Sequence, residues 1–181
     1  MESLEHHYPA HLNVPLRTIM KLMNFVIIAS GITMALTFFF VVVARYGFGA
    51  DLFAYEEWLL VIAIWLFFLA SAVATHNRAH VKADMLGFMI KNPKLLYWRG
   101  VLVEAIELII TLVIVYWGCL MIKESIDAYP NWQRTVALHI PFLVPRLGIL
   151  IGFVMMAVYS ALHLYVLLCR RDQALNSAKA D

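Results

Sequence analysis

Four long apolar runs separated by polar stretches set the pattern of this 181-residue chain. They cover Leu22–Ala44, Trp58–Ala74, Val101–Ile122 and Leu147–Cys169. At ~1.5 Å per helical residue, each crosses or nearly crosses a hydrocarbon core of ~30 Å. The second run is the shortest, at roughly 26 Å, and Phe53 and Tyr55 extend it into the interface. None of the runs alternates polar and apolar positions as a barrel strand would. Backbone polar groups in lipid must be satisfied within each segment, so the pattern predicts an all-α integral membrane fold with four transmembrane helices. Between the second and third runs, Val81, Met85, Phe88 and Met89 form one stripe, with Lys82, Asp84 and Lys91 off it. That spacing predicts a short amphipathic helix lying in the membrane interface, its basic residues toward anionic lipid.

Composition sharpens the class. The chain is 63% hydrophobic and only 14% charged, against about a quarter charged in a soluble domain. The few cations are unevenly placed. Arg17 and Lys21 precede the first run, Arg78, Lys82, Lys91, Lys94 and Arg99 lie between the second and third, and Arg170, Arg171 and Lys179 follow the fourth. The other two loops hold only Arg45, Lys123, Arg134 and Arg146. This bias predicts both termini and the middle loop in the cytoplasm, an N-in/C-in topology. Residues 1–181 read as one four-helix membrane domain, with polar segments at 1–16 and 170–181. The first run is too long for a cleaved signal and reads as a retained anchor. Cys119 lies near the outer end of the third run and Cys169 at the inner end of the fourth, a bilayer apart, which excludes a disulfide.

Several residues stand out against this background. Arg45 ends the first run where Glu56 and Glu57 open the second, and a short connection brings them to one water boundary. The acids also sit at the positive end of a helix dipole. Arg45 reads either as a snorkelling anchor or as a partner for Glu56 or Glu57. Trp58 and Trp65 share a face with Ile62 and Leu69. Trp58 suits an aromatic belt, whereas Trp65 lies ~10 Å deeper, where its N–H needs a protein acceptor. That face is expected to meet another helix. Glu104 and Glu107 stand one turn apart inside the third run, and Glu107 is the deeper candidate for a buried bond. Gly31-x-x-x-Ala35, Gly148-x-x-x-Gly152 and Ala157-x-x-x-Ala161 are close-packing patterns. Residues 123–146 contain an apolar piece broken by Pro141 and Pro145, suited to docking a partner or to embedding in the interface.

Catalytic and cofactor signatures do not emerge. There is no phosphate loop, nucleophile elbow or dinucleotide fingerprint. His6, His7 and His11 lie in the polar N-terminal segment, and His76-x-x-x-His80 lacks a third ligand and an intervening Glu. No enzyme activity, cofactor, metal or nucleic-acid partner is therefore expected. A secondary transporter acting alone would show inverted repeats with broken helices at mid-membrane, and none is visible. An accessory membrane subunit remains. The alternatives are a haem- or quinone-binding redox subunit using His163 with His76 or His80, and a channel lined by Glu104 and Glu107.

The ordered set Arg45-Tyr46-x-Phe48, Glu56-Glu57-Trp58, Trp65-x-x-Phe68-Leu69-Ala70 and His80-x-Lys82-x-Asp84 resembles the small membrane subunit, DctQ-like, of tripartite ATP-independent periplasmic (TRAP) transporters. The third and fourth runs resemble it only in length and hydropathy. The resemblance implies an inner-membrane scaffold for a large permease subunit that carries the substrate and sodium sites and moves like an elevator. It also implies a periplasmic binding protein as partner, with organic acids such as C4-dicarboxylates or sialic acid as cargo. On that footing, Arg45, Glu57 and Trp58 would organise the outer collar, with Glu56 beside them. Trp65 and Glu107 would form an intersubunit or intrahelical seam. His80, Lys82 and Asp84 would position the interfacial helix against membrane lipids, and Gly148 and Gly152 would allow close helix approach.

Overall fold

The computed structural model describes residues 10–50, 53–77 and 93–169. Four helices account for most of it: α1 (Ala10–Gly47), α2 (Tyr55–His76), α3 (Pro93–Asp127) and α4 (Leu143–Cys169). All four are long and apolar enough to cross a membrane. The expected interfacial helix, with His80, Lys82 and Asp84, lies outside the described residues. α1 begins inside the segment read as a polar tail and runs for 38 residues. At ~57 Å by helical rise it overshoots a ~30 Å core. α4 also begins earlier than its apolar run, at Leu143. Pro145 is accommodated in its first turn, where a missing N–H costs no helical hydrogen bond.

The helices pack as a row. α1 lies on α2, α2 on α4, and α4 on α3, while the other pairings are slight. Directions follow from the contacts. Tyr97 reaches Leu167, Glu107 reaches Ser160 and Ser125 reaches Arg146, so α3 and α4 are antiparallel. Trp65 reaches Val144, Phe68 meets Phe153 and His76 meets Tyr159, so α2 and α4 are parallel. Gly31 of α1 faces Leu66 of α2, and Met23 packs with Leu69 and Ala72. The start of α1 and the end of α4 therefore share one end of the bundle, and the end of α1, the start of α2 and the 128–142 loop share the other.

The two inner helices of the row carry the packing. In the most apolar windows of α2 and α4, 22% and 33% of residues are buried, against 6% in α1 and in α3. The outer helices turn Phe25, Ile28 and Phe39, or Leu102, Ile109 and Trp117, outward. In lipid this exposure carries no hydrophobic penalty, and association rests on shape fit and hydrogen bonds. Hydroxyls are handled locally. Thr33, Thr37, Thr75 and Ser125 each donate to the carbonyl four residues back, so none needs a partner from outside its own helix.

Candidate functional site

The α2–α4 seam is built from two glycines and two aromatic residues. The indole of Trp65 lies across Gly148, where an added Cβ would stand 3.0–3.1 Å from three ring atoms. One turn on, Phe68 covers Gly152 more tightly. A Cβ there would stand 2.6 Å from the Phe68 Cβ and 3.0 Å from its backbone oxygen. A methyl could be cleared at neither position without moving a rigid ring or the α2 backbone. The indole N–H of Trp65 donates to the carbonyl of Val144 at 3.1 Å. The acceptor required by its depth is thus the first turn of α4. Trp58, seven residues earlier, is half-buried near the start of α2.

At the loop end, Glu57 holds the segment joining α3 to α4. Its two carboxylate oxygens accept the backbone N–H groups of Ala137 and Leu138, each at 2.8 Å. This segment is a small closed turn. Thr135 N–H donates to Ile140 at 3.0 Å, Phe142 N–H donates to Gln133 at 3.0 Å, and Arg134 and Pro141 form an isolated antiparallel bridge. His139 takes a left-handed φ of 54° at its tip. The carboxylate set beside Arg45 in the sequence is therefore engaged by loop amides 80 residues away. Glu56 points out and is exposed. Arg45 closes α1, and Ala50 N–H folds back on the Ala44 carbonyl at 3.1 Å to start the turn. Below the loop, Arg146 donates to Ser125 on α3 and to Gln133 in the loop, tying three segments together.

Toward the other end, polar side chains gather between α3 and α4. Ser160, fully buried, donates to Glu107 at 3.0 Å, and Thr111 donates to the Glu107 carbonyl. Glu104, Tyr159 and His163 are buried close by along the same helices. The His76 ring meets Tyr159 edge-on, with centroids 4.9 Å apart. Glu107 thus serves a seam inside this chain.

Sequence reasoning singled out both Trp65 and Gly148, but only one side of the Glu57, Gly152 and Glu107 contacts. Phe68 appeared only within the family pattern, and Ser160, Ser125 and the acceptor role of Val144 were missed. A mid-membrane serine three residues before His163 was the available signal for Ser160. Val144 and the loop amides offer none, because backbone groups are the same at every position. Arg45, Glu57, Trp58, Trp65, Glu107, Gly148 and Gly152 are not one cluster. They divide into a loop latch at Glu57, a tight seam at Trp65, Gly148 and Gly152, and a polar contact at Glu107.

A family model described as tripartite ATP-independent periplasmic transporters, DctQ component, matches residues 34–170. No curated protein matches the chain. The matched region runs from within α1 past the end of α4, so it takes in the latch, the seam and the polar contact. A transporter component gives no support to the haem- or quinone-binding alternative. DctQ components are generally not enzymes, and they work in the inner membrane with a large membrane subunit and a periplasmic binding protein. With three quarters of its length matched and four helices able to span a bilayer, this chain belongs to the DctQ family, the small multi-pass inner-membrane subunit of TRAP transporters.

Proposed function

We propose that this chain is a static brace for the large permease subunit of a sodium-driven TRAP transporter taking up organic acids. The observation that carries this reading is the row. A conduit needs helices closed around a lumen, whereas α1, α2, α4 and α3 stand side by side. The glycine-to-aromatic seam resists sliding of α2 against α4, because any shift drives Phe68 into Gly152. A neighbour that moves during transport needs a partner that does not. The outer faces of α1 and α3 are apolar and largely uncovered, and they offer surface for both the large subunit and lipid.

In this reading, both termini lie in the cytoplasm and loop 128–142 faces the periplasm. The distribution of lysine and arginine supports that orientation. The Glu57 latch then presents a shaped loop, with Val136 almost fully exposed at its rim, to the binding protein. Reconstitution into vesicles tests the proposal. The chain alone should give no sodium-driven uptake of a dicarboxylate or sialic acid, and addition of the large subunit and binding protein should restore it. Uptake by the chain unaided would overturn the reading.

A further inference from the structure

Two titratable side chains lie buried one turn beyond the Glu107–Ser160 contact. Glu104 is 6% exposed and His163 is 2% exposed, and each is engaged by a neighbouring group. Among the described helices, α3 packs extensively only on α4, so a side chain buried on α3 is one that α4 covers. The antiparallel register gives what lies opposite it. Counting three residues from Glu107 toward the start of α3, and three from Ser160 toward the end of α4, reaches Glu104 and His163. Gly100 faces Leu167 on the far side of this level, and four residues back along each helix from that contact reach the same two. Both helices rise equally per residue, so Glu104 and His163 stand level across the seam.

We propose that the Glu104 carboxyl and the His163 imidazole form a hydrogen-bonded pair across the α3–α4 seam, and that this pair makes the hold of α3 on the bundle depend on pH. The bond runs through Nδ1 of the ring, because Nε2 is buried away from any acceptor among the described residues. A carboxyl and an imidazole are each costly to bury alone in a membrane helix, and each offsets the other when paired. The other titratable groups around the pair have different tasks. Glu107 accepts from Ser160, and Tyr159, one turn before His163, meets the His76 ring of α2 edge-on. Arg99 lies five residues before Glu104, about 140° away around α3. α3 has few other ties to α4, the Tyr97, Glu107 and Ser125 bonds. A carboxyl–imidazole bond is remade whenever either partner gains or loses a proton, so the pair is a joint that titrates. The inference stands independently of the bracing role.

A double-mutant cycle on the full chain in detergent micelles provides the test. The unfolding midpoint is measured for Glu104→Gln, His163→Phe and the double variant from about pH 5 to pH 9, a span that brackets ordinary histidine titration. Glu104→Gln keeps the shape, and His163→Phe keeps a ring without its nitrogens. The losses in the two single variants should overlap in the double variant, and the overlap should change across the pH range. His76→Phe, which keeps a ring against Tyr159, should leave that change in place. Additive losses, or an overlap constant with pH, would overturn the proposal. Disappearance of the change in His76→Phe would make His76 the titrating group and overturn it equally. Solid-state NMR of the native chain in lipid needs no variant that folds. His163 Nδ1 should lie within about 4 Å of the Glu104 carboxyl carbon, as one N–H···O bond requires. A longer distance, or proximity of Nδ1 to the Glu107 carboxyl instead, sinks the pairing.

Discussion

Gly31 and Gly152 differ in what a methyl group would strike. At Gly31 the nearest atom is the tip of Leu66 at 3.7 Å, an ordinary contact, so Gly31→Ala should shift stability by less than ~0.5 kcal/mol. At Gly152 the obstacles are the Cβ and backbone of Phe68, which cannot swing away. Gly152→Ala should therefore cost ~1–3 kcal/mol, the range for overpacking, read as an earlier unfolding midpoint in a detergent titration. Trp65→Phe separates the hydrogen bond from the shape. It keeps a ring over Gly148, loses the bond to Val144, and should cost ~0.5–1.5 kcal/mol in the same assay. The small-residue spacing at Gly31 and at Gly152 is the same in the sequence. Only the facing side chain distinguishes them, and that depends on which helices are neighbours.

Among the elements, the α3–α4 connection has the most to lose from one substitution. Glu57→Ala removes the acceptor for the Ala137 and Leu138 amides, while the turn keeps its own bonds through Thr135, Ile140, Gln133 and Phe142. Hydrogen exchange should accordingly speed up at Ala137 and Leu138 and stay unchanged within the helices. Equal protection in native and variant chains would mean that the carboxylate does not restrain the loop. The four helices were legible because uninterrupted apolar length is required of anything that crosses lipid. Their neighbours were not legible, because membrane helices apolar around much of their surface give no stripe to say which side faces protein. Glu57 was recognisable as a collar residue, but nothing in the sequence pointed its oxygens toward amides 80 residues on. The helix starts at Ala10 and Leu143 were missed for a related reason: polar residues and prolines end a hydropathy run without ending a helix.

For the molecule as a whole, the proposed orientation is open to a direct labelling test. In a background with Cys119 and Cys169 replaced by serine, Asn131→Cys should react with a membrane-impermeant maleimide on intact spheroplasts. Ser177→Cys should react only after lysis, and the reverse pattern would invert the proposed topology. The parallel pairing of α2 with α4 also has a consequence for how the protein is made. The helix that fits between α2 and α3 follows both of them in the chain, and until it emerges those two have almost no surface in common. A nascent chain halted before Leu143 leaves the Trp65 and Phe68 rings without their glycine grooves and Glu107 without Ser160. The bundle therefore cannot close until α4 has been inserted, whatever order its earlier helices take in the membrane.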